Sequence, residues 1–413
     1  MLNYTTNDYF LKRNTQTSEE IEISIIIPSY NKYPLNLFTL YSLEKQNYDL
    51  SKVEVFLIDD ASTDQTSERL ETYNPPYHFY YFRCKKNIGR AKARNLGIQH
   101  AQGKVIIFLD AEMFVEPSFL QNHSQYHQQK ENLIVTGAMS YKGLYSCVFP
   151  DFQPNQMQEI TKLINDNSKL STRFSTYKSS SKKPFPLLKN KDFDRGRYKT
   201  LCFEKSSWFS FILEQYGPNL EGFSFPWMAF LTGNVSLRKS LLDMVGGFDE
   251  EFVGYGYEDW ELGYRLYNAG AEYIASDKVI SYHQEHPISS DKWQEAIGNY
   301  YLFLTKHPDI DVLFLGIEIS QIASLDDMNE LLNEYKVFLE HDLYEFTSLN
   351  KMFIKILVTI TLLLKIDIRH KNILGAAGFP ENQRNELFDE VMRLKKLNRY
   401  NRLTKFIEKI IYS

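Results

Sequence analysis

Ile23-Ser-Ile-Ile-Ile-Pro-Ser-Tyr-Asn31 and Val53-Glu-Val-Phe-Leu-Ile-Asp-Asp-Ala-Ser-Thr-Asp64 decide the fold. Each opens as a β-branched and apolar run and closes on polar residues. Strands of this kind belong inside parallel sheets with both faces covered. Residues 35–46 between them read as a helix. Ser62, Thr63 and Asp64 offer N-cap side chains for a second helix, running to about Tyr73. His78–Phe82 is a third strand, Arg90–His100 a helix, and Val105–Leu109 a fourth strand that ends at Asp110. This alternation specifies an open α/β sheet with right-handed crossovers.

Outward from that block the pattern changes. Residues 1–22 are polar and read as a tail, with no apolar h-region of the secretory kind. Residues 160–200 are rich in Lys, Ser, Asn and Arg and read as a flexible basic insertion, with Ser179–Pro184 as a mobile loop. Order resumes near Trp208, and a helix is expected from Glu258 to about Ala269. From Lys292 the chain reads helical, with Ser324 capping a helix to about His341. Arg393–Lys409 is amphipathic and basic. The division expected is a tail (1–22), a catalytic domain (23–291) and a helical extension (292–413).

The 413 residues carry a net charge of −5, which gives no global reason to expect a nucleic-acid partner. Cys84, Cys147 and Cys202 are far apart and odd in number, so a disulfide framework is not expected and a reducing, cytoplasmic setting fits. The most apolar run, Ile356–Leu364, falls short of the roughly 20 residues that span a bilayer.

In open α/β sheets ligands bind at the carboxyl ends of the strands. Here those ends read Pro28-Ser-Tyr-Asn31, Asp59-Asp60 and Asp110-Ala-Glu112. Neighbouring carboxylates repel unless a cation or a donor group lies between them. A divalent ion supplies the first and a nucleotide base the second. A turn-capping role for Asp59 and Asp60 is the plainer reading of that pair alone.

Ile25-Ile-Ile-Pro-Ser-Tyr-Asn31, Ile58-Asp-Asp-Ala-Ser-Thr-Asp64, Asn87-Ile-Gly-Arg-Ala-Lys-Ala-Arg-Asn95 and Phe108-Leu-Asp-Ala-Glu112 together resemble the family 2 glycosyltransferases of the GT-A fold. A second block, Thr232 to His283, resembles the chondroitin-polymerase-like branch and the galactosyltransferase C-terminal motif. The resemblance implies a Rossmann-like, mixed but mainly parallel sheet. It also implies a nucleotide-diphosphate sugar donor, usually UDP-linked, and inversion at the anomeric carbon. By position, Pro28, Tyr30 and Asp60 would hold base and ribose, and Arg90 would contact the nucleotide. Arg94 and Asn95 would either do the same or orient the acidic loop. Asp110 and Glu112 match the metal motif, although Glu stands where the family usually has Asp. Thr232, Gly233 and Asn234 fall near the donor sugar, and Gly246–Glu250 reads as a structural turn. Asp259, beside Glu258 in Gly254-Tyr-Gly-Tyr-Glu-Asp-Trp-Glu261, falls where the family places its general base. Trp260 would stack on a sugar or join the core. His283 would complete a Mn2+ or Mg2+ site, with His286 as the substitute.

An oxidoreductase would need Gly-x-Gly-x-x-Gly after the first strand, where Pro28-Ser-Tyr-Asn31 stands instead. A silent binding module would be expected to lose acidic positions that this chain keeps. The expected acceptor is a glycan, in surface or capsule-type synthesis, or else a lipid-linked glycan or a protein side chain. The basic C-terminal helix offers contact with an anionic membrane, packing on the catalytic domain, or homodimerisation.

Overall fold

The computed structural model describes residues 8–14, 20–139, 142–177, 182–205, 208–287, 292–368 and 372–412. Part of the expected mobile loop, residues 179–181, lies outside them. The chain divides into two compact units. One comprises Met1–Glu221, Pro226–Gly254 and Glu258–Ser290; the other comprises Gly222–Phe225, Tyr255–Tyr257 and Asp291–Ser413.

The first unit holds fourteen strands among the described residues: β1 (Tyr9–Asn14), β2 (Ile23–Ser29), β3 (Val53–Asp59), β4 (His78–Cys84), β5 (Val105–Leu109), β6 (Met113–Val115), β7 (Leu133–Thr136), β8 (Lys142–Leu144), β9 (Cys147–Val148), β10 (Phe185–Pro186), β11 (Cys202–Phe203), β12 (Asn234–Arg238), β13 (Glu272–Ala275) and β14 (Ser281–Gln284). Eight make one sheet in the order β1-β4-β3-β2-β5-β12-β7-β13. The β4-β3-β2-β5 centre is parallel throughout, and β12 runs antiparallel to both of its neighbours. The result is the mixed, mainly parallel α/β sheet flanked by helices that the resemblance implied.

Ile23, Ile25, Ile27, Val53, Val55, Leu57, Ile107 and Leu109 are buried in one core cluster. On the opposite face the Arg90–His100 helix lies close against β2. A Cβ on Gly97 would stand 2.6 Å from Cγ2 of Ile26, so glycine permits that approach.

Two expectations are corrected. The polar opening is not all tail, because β1 pairs antiparallel with β4 at the sheet edge. Tyr9 alone of this strand is buried, its ring 4.9 Å from Phe82. An edge strand that buries so little carries no apolar run to read. Nor is the described part of 160–200 an irregular, flexible insertion. It forms parts of helices Pro154–Ile164 and Ser168–Phe174, then helix Asn190–Asp194 and the 3-10 turn Arg197–Leu201. Ile160, Ile164, Leu170, Leu187, Leu188, Phe193 and Leu201 fill a second core together with Phe114 and Tyr282. These anchors are scattered through a Lys- and Ser-rich background, which hides their periodicity.

A smaller sheet, β11-β8-β14-β6, sets up the site. In it β14 runs antiparallel to β6, so His283 pairs with Met113, the residue after Glu112.

The second unit is helical: Lys292–Lys306, Ile310–Ile319, Leu325–His341, Thr347–Lys365, Ile373–Ala376, Glu381–Lys395 and Asn401–Ile411. Ser324 caps its helix by accepting from the Asp327 amide. The Thr347–Lys365 helix is long and apolar enough to cross a membrane by composition, but half of its apolar window is buried. The buried residues include Phe353, Ile356, Leu357, Ile360 and Leu364, as in a core helix. The basic C-terminal stretch, read as one helix, is two, broken after Lys395 with Asn398 in the left-handed region (φ 53°). The apolar face of the last helix is buried, through Leu403, Phe406, Ile407 and Ile410.

Candidate active site

Asp110 and Glu112 follow β5 on either side of the buried Ala111, and they serve two different groups of residues. Asp110 meets Arg94, whose Nη2 donates to Oδ1 at 3.2 Å. The same guanidinium donates through Nη1 to Glu258 Oε1 at 3.0 Å. Arg94 is 2% exposed and lies over the Phe248 ring. Burial disfavours its charge, but Asp110, Glu258 and Asp259 outweigh that and hold it firmly protonated.

Asp259 lies next to Glu258 in the first turn of the Glu258–Asn268 helix. It is half-buried, and its Oδ1 accepts from the Trp260 amide at 2.9 Å. Burial first and the Glu258 charge second push its carboxyl up to about 7, while Arg94 pulls the other way. A carboxyl poised there is suited to take a proton from a hydroxyl near neutral pH.

Glu112 faces the other way. Its Oε1 accepts from Lys32 Nζ at 2.7 Å and lies 3.2 Å from His286 Nε2. Burial opposes its charge, yet the Lys32 ammonium holds the carboxyl well below its usual range. Donor atoms of Glu112, His283 and His286 all lie within 4.8 Å of one another. Nδ1 of His283 lies 2.9 Å from Glu285 Oε1, and Nδ1 of His286 lies 2.8 Å from the Pro287 carbonyl. With both Nδ1–H groups donating there, each Nε2 keeps its lone pair for the cluster, the arrangement that orients metal-bound histidines. A single ion about 2.0–2.2 Å from each donor needs them within about 4.4 Å. A slight contraction closes that gap, so these three residues fit a divalent metal. Asp110, expected among the ligands, is not part of this cluster.

The remaining expected residues divide. Asp60 is buried, and its two carboxylate oxygens accept from the amides of Ile88 (2.6 Å) and Gly89 (3.0 Å). Burial raises its pKa against those two bonds. Asp59 is wholly structural: it accepts from the Ser62 amide and the Tyr81 hydroxyl. Pro28 is half-buried, whereas Tyr30 and Arg90 are exposed. Asn31, with φ 52°, accepts from the Thr63 and Asp64 amides and ties the ends of β2 and β3 together. Thr232 is buried, and the Gly233 carbonyl accepts from the Asp110 amide at 3.4 Å. Trp260 meets the buried Trp227 edge-on at 6.1 Å, with part of its surface left open.

Asn234 is a correction. It is 0% exposed, and its side chain donates to the Val279 carbonyl and Ser281 Oγ and faces His123 Nε2. It staples β12 to the segment before β14 and cannot touch a ligand. Asn95 likewise holds the Gly246–Glu250 turn, through Phe248 backbone atoms and Glu250. The sequence reading passed over Lys32, Glu285 and Lys205, which donates to Glu285 at 2.7 Å. Lys32 directly follows a quoted motif, but nothing in its type marks it out.

The family model "Glycosyl transferase family 2" matches residues 24–184, and "N-terminal domain of galactosyltransferase" matches 218–287. An uncharacterised glycosyltransferase, YfnE of Bacillus subtilis, is 29% identical over 82% of this chain and 83% of its own length. The chondroitin synthase of Escherichia coli is 28% identical over 67% of this chain, which spans only 36% of that protein. Among solved structures, S. aureus TarS 1-349 in complex with UDP aligns with a TM-score of 0.44 and 18% identity, covering 95% of this chain and 89% of that one. Residues 24–184 thus match the family 2 glycosyltransferases, and the chain is a glycosyltransferase enzyme.

Proposed function

We propose that this enzyme transfers a sugar, with inversion, from a UDP-linked donor to a hydroxyl of a growing surface or capsule-type glycan, in the cytoplasm. The carrying observation is the Asp259 carboxyl, held at about 7 beside Glu258 and the Arg94–Asp110 pair. Asp259 removes the acceptor hydroxyl proton as the oxygen attacks the anomeric carbon. Glu258 keeps that carboxyl basic by repulsion, and Arg94 fixes Glu258 and Asp110 in place. Pro28, Tyr30 and Asp60 receive the base and ribose at the ends of β2 and β3, with Arg90 nearby. Thr232 and Gly233 border the donor sugar beside Asp110.

Glu112, His283 and His286 would hold a divalent ion, which would supply positive charge to neutralise the leaving diphosphate. Two imidazoles and one carboxylate suit Mn2+ better than Mg2+, which prefers oxygen donors alone. The glycan acceptor is supported by relatives whose names are chondroitin synthase and hyaluronan synthase.

A panel of UDP-hexoses, UDP-N-acetylhexosamines and UDP-hexuronates tests the donor class. Incubation with the protein and Mn2+ is expected to release UDP slowly from one class, and EDTA to stop it. No release from any would remove the UDP assignment.

A further inference from the structure

Lys32 touches two of the three candidate metal ligands. Its Nζ is 2.7 Å from Glu112 Oε1 and 3.0 Å from His286 Nε2. With Nδ1 of His286 donating to Pro287, Nε2 has a single lone pair. That lone pair accepts from Lys32 or binds an ion, never both. An ammonium left within about 5 Å of a dication in so enclosed a place would also repel it strongly. Entry of the ion therefore requires the lysine to leave.

The lysine can leave without disturbing the fold. Its side chain is 24% exposed on a flexible four-carbon stem. Its backbone stays fixed, because Asn31 bonds Ser62, Thr63 and Asp64 while the Tyr33 amide donates to Asp64 at 2.8 Å. The released ammonium remains tethered at the end of β2, where the α/β architecture binds its ligand.

We propose that Lys32 is an exchangeable cation: it neutralises Glu112 in the metal-free site and, once displaced by the metal, pairs with the diphosphate of the nucleotide donor. This rests on the metal-site reading above. One residue then lowers metal affinity and raises nucleotide affinity, so metal is held firmly only when donor is present to receive the lysine.

Titration calorimetry on the full chain separates these effects, first with Mn2+ alone and then with UDP at saturating Mn2+. Lys32→Met is expected to bind Mn2+ alone at least ~10-fold more tightly than the parent, and UDP at least ~10-fold more weakly. Lys32→Arg, which keeps the charge, is expected to retain most of the UDP affinity. A merely structural lysine would weaken both on removal. Unchanged or weaker Mn2+ binding by Lys32→Met, or unchanged UDP binding, overturns the exchange while leaving the metal site standing. Absence of Mn2+ binding in both parent and variant overturns the metal-site reading and this inference together.

Discussion

Asp259→Asn is expected to slow sugar transfer by about 10²–10⁴-fold while UDP affinity stays within about twofold. The amide has the shape of the carboxyl but cannot accept the hydroxyl proton, so only the chemical step suffers. The pH profile follows. With the carboxyl held at about 7, the parent's rate should climb as pH rises through that value, because only the ionised form is a base. Stability runs the opposite way. A carboxyl whose folded-state pKa is raised stabilises the fold while protonated, fully at low pH, and this contribution is lost as pH rises through about 7. Asparagine carries no charge to bury, so above pH 7 the variant should unfold at a temperature equal to or above the parent's. Steady-state rates and thermal melts at pH 6 and pH 8 check both halves. A variant that loses UDP binding, or melts well below the parent at pH 8, would deny Asp259 its place as the base.

Arg94→Met is expected to destabilise the protein by about 3–5 kcal/mol, the usual loss when one member of a buried charge network is removed. Arg94 stands between Asp110 and Glu258, and Asp259 feels all three charges. Without the guanidinium, carboxyls from two distant chain segments face each other with no cation between them. Methionine keeps most of the apolar stem over Phe248, which limits the effect to charge. Denaturant unfolding at neutral pH measures it. A change below about 1 kcal/mol, the range of an exposed pair, would mean that water already screens the site.

The central sheet was legible because buried parallel strands must be apolar on both faces, as Ile23–Ile27 and Val105–Leu109 are. β1 was hidden because its only deep anchor is Tyr9. The insertion was hidden because Leu170 and Phe193 stand singly among polar neighbours. Within the site, the acidic ends of β3 and β5 were visible as residue types, but their partners were not. Glu112 meets His283 and His286 through the pairing of β6 with β14, and Asp110 meets Arg94 on the Arg90–His100 helix, which no local spacing encodes. Asn234 misled for the opposite reason: a polar residue beside Thr232-Gly233 resembles a ligand contact until burial turns it into a sheet staple. His286, held only as a substitute, joins His283 because Gln284 and Glu285 carry the chain around Glu112, with the Gln284 amide donating to the Glu112 carbonyl at 2.9 Å.

The proposed site is a metal-dependent nucleotide site at the carboxyl ends of these strands. Calorimetric titration of UDP into the full-length protein, with Mn2+ and then with EDTA, tests it most directly. Saturable binding is expected with Mn2+, and a loss of at least ~10-fold in affinity with EDTA. Equal UDP affinity in both conditions would contradict the role given to Glu112, His283 and His286, and no UDP binding in either would contradict the donor site itself.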